Sequence, residues 1–107
     1  MGRRRRLRWT APARADVLGA HAFVRALNPA AAAKLLADLL AATDRIGRFP
    51  DTGARLRNIP LEGEYRSLVV RNYRIIYTIR PSGIWIARVW DCRQDPDGLW
   101  EFFEKKT

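Results

Sequence analysis

Residues 64–94, EYRSLVVRNYRIIYTIRPSGIWIARVWDCRQ, decide the fold of this chain. Val, Ile, Tyr and Trp dominate the stretch, and β-branched and aromatic side chains suit a pleated, half-buried surface. Two short breaks divide it, Arg71-Asn72 and Pro81-Ser82-Gly83. Asn tolerates the positive φ of a tight turn, Pro fixes φ, and Gly lets the chain reverse. The stretch therefore predicts three consecutive antiparallel strands.

A two-residue turn at Arg71-Asn72 predicts the register of the first hairpin, because it places Val70 opposite Tyr73 and cross-strand partners share a face. One face is then almost entirely apolar and should meet the core: Leu68, Val70, Tyr73, Ile75, Tyr77 and Ile79. The other face mixes arginine with small and aromatic groups, and we expect it to carry the function: Tyr65, Ser67, Val69, Arg74, Ile76, Thr78 and Arg80. The third strand, from Ile84 to Trp90, is apolar on both sides apart from Arg88, so it should be central or covered by a partner. The sequence leaves its register open.

Two helices are predicted before the sheet. Thr10 is a suitable N-cap and Pro12 fits the first turn of a helix that runs to about Leu27. Its apolar residues form one stripe: Val17, Ala20, Phe23, Val24 and Leu27. Asn28-Pro29 opens a second helix that runs to about Arg48. Its buried stripe is predicted as Leu35, Leu36, Leu39, Leu40, Thr43 and Ile46. The short connection predicts an antiparallel helix hairpin.

The predicted fold class is α+β, with the helix hairpin packed on one face of a small antiparallel sheet. A short strand from Arg6 to Trp9 should join that sheet at or near an edge. Residues 50–63 contain two prolines and two glycines and are predicted as an irregular connection. Leu99–Lys106 is predicted as an amphipathic tail or short helix, the only segment left to cover the second sheet face. We expect one domain over residues 1–107, in which residues 1–6 form a basic tail.

Composition limits the class of protein. Apolar residues make up 48% of the 107 residues, which indicates a folded globular chain. No apolar run approaches the roughly 18 residues of a membrane span, and no long apolar region follows the basic N-terminus. The single cysteine, Cys92, excludes a disulfide framework and favours a cytoplasmic location. With a single histidine, His21, a protein-only zinc site is not expected, and no cofactor is predicted.

The chain carries a formal net charge of +9 from 20 basic and 11 acidic residues. Half of this excess lies near the N-terminus: Arg3, Arg4, Arg5, Arg6 and Arg8. One interpretation is attraction to nucleic acid or to an acidic partner. The other is a solvated tail in a protein that uses arginine for 17 of its 20 basic residues.

Several short motifs follow one another in a recognisable order. They are Trp9, Ala15-Asp16-Val17, Asn28-Pro29-Ala30-Ala31, Phe49-Pro50 with Gly53, Tyr65-Arg66, Tyr73-Arg74-Ile75-Ile76-Tyr77, and Arg93-Gln94. In order, spacing and total length they resemble the ParE/RelE superfamily, the toxins of bacterial type II toxin–antitoxin pairs. The resemblance implies a compact α+β fold and a cognate antitoxin that wraps the toxin in a hetero-oligomer. It also implies that DNA is contacted only indirectly, through the antitoxin.

The aromatic residues suggest where such a partner would bind. The chain has more aromatic surface than a core of 107 residues readily hides, and exposed apolar patches usually mark partner sites. The predicted antitoxin-binding residues are Trp85, Trp90, Trp100 and Phe103. The alternative is that the C-terminal tail folds back and buries them.

The superfamily divides into RelE-like toxins, which cut messenger RNA on the ribosome, and ParE-like toxins, which poison DNA gyrase by binding it. RNA cleavage needs a general base, a general acid and a cluster of cations. The predicted sheet could offer phosphate clamps for a ribonuclease: Arg66, Arg71, Arg74 and Arg93. Arginine, however, almost never exchanges a proton. The family position for a C-terminal Tyr or His holds Leu99 or Trp100, and no lysine lies between Lys34 and Lys105.

We therefore predict a ParE-like toxin that acts by binding, with no catalytic residue. Arg74 and Arg93 are its predicted contacts with gyrase, although Arg74 could instead brace the sheet by pairing with a carboxylate such as Asp91. A RelE-like endoribonuclease is the first alternative. A basic nucleic-acid-binding module is the second, although the sequence has no helix-turn-helix, zinc-finger or RNP-type pattern.

Overall fold

The computed structural model of the chain describes residues 6–57 and 59–94. Its elements are β1 (Leu7–Trp9), α1 (Ala11–Leu27), α2 (Pro29–Arg48), a 3₁₀ turn (Pro50–Thr52), β2 (Ala54–Arg55), β3 (Tyr65–Val70), β4 (Tyr73–Arg80) and β5 (Gly83–Asp91). The strands form one sheet in the order β1-β5-β4-β3-β2. The predicted α+β fold, a strand and a helix hairpin followed by a sheet, is confirmed. The predicted C-terminal tail and most of the basic N-terminal segment lie outside the described residues.

Both helices begin where their capping residues predict. The Thr10 hydroxyl accepts a hydrogen bond of 3.1 Å from the Ala13 N–H, and the Asn28 side chain accepts one of 3.1 Å from the Ala31 N–H. Each helix has a proline in its first turn, where the missing N–H costs little. In the described ranges, neither helix is long and apolar enough to cross a membrane.

The core lies between the helix hairpin and one face of the sheet. The strand residues predicted for this face all join the core or pack against it: Leu68, Val70, Tyr73, Ile75, Tyr77 and Ile79. The helices contribute Val17, Leu35, Leu39 and Ile46. The predicted helix stripes were too wide, because Phe23, Leu27 and Leu40 are exposed. A helix against a flat sheet buries one narrow face, so apolar residues at the margins of that face stay in water.

The predicted hairpin register is confirmed, since Val70 pairs with Tyr73 across a two-residue turn. The positive φ expected for Asn72 is instead found at Arg71, whose φ is 57°. The second turn also contains two residues, and Arg80 pairs with Gly83. This settles the register that the sequence left open.

One irregularity divides β5 into two halves. Ile76 of β4 lies opposite Arg88, whereas Tyr77 lies opposite Ile86, so Ala87 is an extra residue on β5. Such a β-bulge bends the strand and changes which backbone groups point outward.

The sheet is mixed, which corrects the expectation of a purely antiparallel sheet. β1 lies at the edge, as expected, but it runs parallel to β5, with Leu7 opposite Ile84 and Trp9 opposite Ile86. A hairpin turn dictates antiparallel pairing, but β1 and β5 are joined through the whole chain. No turn therefore constrains their relative direction.

The second sheet face is more covered than predicted. A small cluster forms on it around Tyr65, Ile76 and Ala87, and three residues of the connection pack against it: Leu56, Ile59 and Leu61. The connection predicted as irregular also contains β2, which pairs with β3. The expectation that only the C-terminal tail could cover this face is therefore wrong.

Candidate functional site

A cleft of about 470 Å³ lies between α1 and the second half of β5. The described residues that line it are Ala15, Asp16, Gly19, Ala20, Phe23, Tyr73, Arg88, Val89, Trp90, Asp91, Arg93 and Gln94. One wall is therefore helical and mostly apolar, and the other is a strand edge that carries charged side chains.

The strand edge is open because β1 is short. β1 pairs only with Ile84 to Ile86, after which the chain turns into α1. Thr10 makes the last contacts with β5: its N–H donates to the Ile86 carbonyl at 3.1 Å, and its hydroxyl donates to the Ala87 carbonyl at 2.8 Å. Beyond Ala87, no described strand pairs with β5 on this side.

Asp16 of α1 closes part of this edge with its side chain. Its carboxylate accepts two hydrogen bonds from the Arg88 guanidinium, at 2.7 and 2.9 Å, and a third from the Val89 backbone N–H at 2.9 Å. The side chains of Arg88 and Asp16 are only 13% and 17% exposed. One carboxylate thus neutralises a largely buried arginine and satisfies a strand N–H, 72 and 73 residues away in sequence.

A second ion pair lies at the mouth of the cleft. The Asp91 carboxylate accepts bonds of 2.9 and 2.8 Å from the Arg93 guanidinium, and one of 2.9 Å from the Arg93 N–H. The hydrogen bond from the Arg93 side chain lowers the pKa of Asp91. The same bond raises the pKa of Arg93.

The predicted brace between Arg74 and Asp91 is not formed. In the register of β4 and β5, Arg74 lies opposite Trp90 and Asp91 lies opposite Tyr73. Consecutive residues of a strand point to opposite faces, so Arg74 and Asp91 are on different sides of the sheet. Asp91 pairs with Arg93 instead.

The arginines considered for a ribonuclease site do not converge. Arg66 donates to Glu64 at 2.7 Å and to the Gly53 carbonyl at 2.8 Å, and the bond to Glu64 raises the pKa of Arg66. Arg71 reaches α2, where its guanidinium lies 2.6 Å from Asp38. Arg74 lies on the face turned away from the helices, and Arg93 follows the end of β5.

Both tryptophans predicted for antitoxin binding that lie in the described part are half-buried. The guanidinium of Arg8 lies 5.4 Å from the ring centroid of Trp85, and that of Arg88 lies 5.4 Å from the ring centroid of Trp90. The indole N–H of Trp90 is buried and has no acceptor among the described residues. Trp100 and Phe103 lie outside the described residues.

The most exposed large apolar side chains of the described part are not these tryptophans but Leu18, Phe23, Leu27, Leu40, Phe49 and Val69. Phe23 lines the cleft, together with Asp16 and Gly19. The sequence analysis placed Phe23 in the apolar stripe of α1 and gave it no role in a binding site. The signal was available, since the apolar residues of α1 span more of its circumference than one sheet contact can bury.

At the opposite edge of the sheet, which we call the closed edge, the loop before β2 is bonded to β4. The Tyr77 hydroxyl donates to the Pro50 carbonyl at 2.5 Å and accepts from the Gly53 N–H at 2.9 Å. Burial raises the pKa of Tyr77. A Cβ at Gly53 would lie 2.7 Å from this hydroxyl and 2.8 Å from the Ser67 carbonyl, so the close approach requires glycine.

In the ranges 6–57 and 59–94, no group of three or more His, Cys, Asp or Glu side chains could hold a metal ion.

Comparison with known proteins identifies the family. Residues 7–96 match the sequence model described as the ParE toxin of the type II toxin–antitoxin system parDE. The chain belongs to the ParE toxin family.

A solved structure supports the fold assignment. A chain from the chromosomal ParDE toxin–antitoxin system of P. aeruginosa is similar in fold, with a TM-score of 0.64. The two chains are 23% identical, and the match covers 78% of this chain and 90% of that chain. No curated protein sequence matches this chain. The cleft between α1 and β5, the Asp16–Arg88 ion pair and the closed opposite edge all lie within the segment matched to the ParE toxin family.

Proposed function

We propose that this chain is the toxin of a type II toxin–antitoxin pair, that it acts in the cytoplasm by binding DNA gyrase, and that a cognate antitoxin neutralises it. The observation that carries the proposal is the match to the ParE toxin family over residues 7–96, which includes every described helix and strand. Gyrase as the target and the antitoxin as the partner are inferred from membership of this family.

The ionisable groups favour binding over catalysis. General acid–base catalysis is most effective when a pKa lies near the working pH. The pKa values of Arg66, Arg93 and Tyr77 are raised and that of Asp91 is lowered, so the pKa of each of these four groups lies farther from neutrality than its ordinary value. The arginines that could clamp a phosphate are also held in separate places. These features support a toxin that docks on its target over a RelE-like endoribonuclease.

Arg74 is our first candidate for a target contact. It lies on the face turned away from the helices, beside the half-buried Trp90, and it forms no ion pair with a described residue. A guanidinium that is not committed to the fold can pair with a carboxylate or phosphate on a partner. Arg93 is our second candidate because its side chain is 59% exposed despite its bond to Asp91.

The proposed antitoxin contacts are Trp85 and Trp90, with Trp100 and Phe103 from the segment outside the described residues. Half-buried tryptophans are favourable anchors because they add apolar area at little entropic cost. The unpartnered indole N–H of Trp90 would gain a hydrogen bond if a partner supplied an acceptor. The net charge of +9 favours an acidic partner.

The test is a gyrase supercoiling assay with the purified chain, with and without the protein encoded by the adjoining gene. We expect inhibition of supercoiling, or trapped cleaved DNA, that the neighbouring protein relieves. If gyrase is unaffected and messenger RNA is cut in a ribosome-dependent assay, the RelE-like alternative replaces the proposal. If the chain only binds DNA, in a salt-dependent way, the nucleic-acid-binding alternative replaces it.

A pair of variants tests the target contact. Arg74→Glu should weaken gyrase inhibition at least tenfold. Arg80→Glu is the matched control, because Arg80 lies on the same strand and face, about 20 Å farther along. Equal inhibition by the two variants would remove Arg74 from the contact surface.

A further inference from the structure

The open half of β5 presents a defined set of backbone groups. The N–H of Val89 points away from β4, because it donates to Asp16. In a strand, the N–H and C=O of one residue point to the same side, and the side alternates from residue to residue. The Val89 carbonyl and the Asp91 N–H therefore also face the cleft. No hydrogen bond joins either group to a described residue on that side.

The Val89 carbonyl and the Asp91 N–H favour an added strand that runs parallel to β5. In a parallel pair, one residue donates to the residue before its partner and accepts from the residue after it. A residue lying opposite Trp90 could thus donate to the Val89 carbonyl and accept from the Asp91 N–H. β1 uses the same pattern farther along, where Arg8 lies opposite Trp85. An antiparallel neighbour would instead exchange both of its hydrogen bonds with Val89, whose N–H Asp16 already occupies, or with Asp91, whose carbonyl already accepts from the Gln94 N–H at 2.9 Å.

The helical wall offers an apolar contact for the same segment. Phe23 is 63% exposed although its ring lines the cleft. Gly19 lies one turn earlier, with no atom within 4 Å of where a Cβ would stand. The open edge from Ala87 to Asp91 is about 17 Å long, and Phe23 and Gly19 face it across the cleft. An extended segment with an apolar side chain on the helix side fits this arrangement.

The occupant is not a second copy of this chain. Two identical β5 edges related by a two-fold axis would pair antiparallel, and that pairing needs the Val89 N–H, which Asp16 holds, or the Asp91 carbonyl, which the Gln94 N–H occupies. Each copy would also bring a net charge of +9. The edge therefore fits a different chain of opposite charge.

We propose that an extended, acidic segment of the antitoxin adds in parallel to the open half of β5 and packs an apolar side chain on Phe23. This inference rests on the proposed function, because the antitoxin is the partner named there. Strand addition to an exposed edge supplies affinity through the main chain and specificity through alternate side chains.

Amide hydrogen exchange of the free chain and of its complex with the protein encoded by the adjoining gene tests the backbone part. We expect exchange at Asp91 to slow at least tenfold in the complex. Residues Ile84 to Ile86, paired on both sides in the free chain, are the internal reference. If the complex forms and neutralises the toxin without slowing exchange at Asp91, the strand addition is wrong and the proposed function stands. If the protein does not neutralise the toxin, the proposed function itself fails.

Two helix variants test the apolar part. Phe23→Glu should weaken the complex at least tenfold, measured as Kd by calorimetry. Leu18→Glu is the matched control, because Leu18 is 68% exposed on the same helix but does not line the cleft. It should change Kd less than twofold. Equal effects of the two variants would overturn the Phe23 contact. A loss with Phe23→Glu without protection of Asp91 would indicate a helix in the cleft and overturn the added strand.

Discussion

The two edges of the sheet are closed in different ways. At the β2 edge the loop before β2 is anchored to the sheet: the Tyr77 hydroxyl bonds to backbone groups of Pro50 and Gly53, and Arg66 bonds to the Gly53 carbonyl. At the other edge, β1 covers half of β5, and a single carboxylate, that of Asp16, covers one N–H of the rest.

The difference underlies our proposal that the β5 edge, and not the β2 edge, accepts another chain. The loop before β2 is held by hydrogen bonds from Tyr77 and Arg66 that are buried or partly buried, and opening it would break the fold locally. At the β5 edge, the charged Asp16 side chain occupies the Val89 N–H and leaves the Val89 carbonyl and the Asp91 N–H available. A guarded but unpaired edge resists unwanted pairing and still permits a specific partner.

Removing the Asp16 carboxylate, which occupies the Val89 N–H at the β5 edge, should have the largest effect on stability. Asp16→Ala removes the bidentate partner of Arg88 and the acceptor of the Val89 N–H in a largely buried site. We expect a loss of about 3 kcal/mol in the free energy of unfolding, measured by urea denaturation. The control is Asp38→Ala, which removes the exposed partner of Arg71 and should cost less than about 1 kcal/mol. Similar losses of stability in the two variants would contradict the conclusion that the Asp16 contacts stabilise the fold more than an exposed ion pair does.

Asp16→Ala also tests whether Asp16 prevents two copies of the chain from pairing through their β5 edges. With Asp16→Ala, the Val89 N–H becomes available for antiparallel pairing between two copies. Light scattering should detect a concentration-dependent dimer of Asp16→Ala that the original chain does not form. Asp16→Asn keeps an acceptor for the Val89 N–H and should remain monomeric. A dimer of Asp16→Asn, or none of Asp16→Ala, would show that Asp16 does not control the edge.

Tyr77→Phe tests the closed edge and should have the next largest effect. The variant keeps the ring but deprives the buried Gly53 N–H of its acceptor. The expected loss is about 2 kcal/mol in the free energy of unfolding. Tyr73→Phe is the control, since no hydrogen bond joins its hydroxyl to a backbone group of the described residues. A Tyr77→Phe variant as stable as the original would mean that the loop holds this edge without the hydroxyl.

Alkaline pH should weaken the closed edge gradually. Burial raises the pKa of Tyr77 above its ordinary value of 10.0, so the folded state keeps a proton that the unfolded state loses. Its contribution is therefore fully present below pH 10 and is lost as pH rises through the folded pKa. The stability advantage of the original chain over Tyr77→Phe should shrink over the pH interval above about 10 in urea titrations. A constant difference over that interval would contradict the assignment.

The smallest effect is expected at the N-terminus. β1 is held by backbone bonds, one of which runs from the Ile84 N–H to the Arg6 carbonyl at 2.9 Å. Deleting residues 2–6 places Met1 before Leu7, and its carbonyl can take the same bond. The free energy of unfolding should change by less than about 0.5 kcal/mol. A larger loss, seen as a clear drop in melting temperature, would show that the arginine side chains support the edge.

Local patterns were sufficient for the regular elements. Alternation of apolar residues gave the core face of β3 and β4, and Thr10 and Asn28 marked the helix starts. These features depend on neighbours in sequence, where propensity and capping act. The same reasoning could not supply the direction of β1, because no short turn links it to β5.

The cleft was harder to predict. Its central ion pair joins Asp16 to a residue 72 positions away, and surface carboxylates carry no sign of such a partner. The bulge at Ala87 changes which backbone groups face outward. No residue type in the sequence of β5 indicates that the strand contains an extra residue. Phe23 was placed in the apolar stripe of α1, and helical spacing alone does not say how wide a face the sheet will cover.

The parallel pairing of β1 with β5 has a consequence for the order of assembly during synthesis. Leu7 pairs with Ile84, so β1, the first strand to be synthesised, cannot pair until β5 has been synthesised. The helix hairpin and the β3–β4 hairpin need only local contacts, which form quickly. The edge of β5 that Asp16 contacts is therefore completed after the other described parts of the chain. If the antitoxin binds at this edge as proposed, its site forms only after β5 has been synthesised, so capture of the toxin cannot begin earlier.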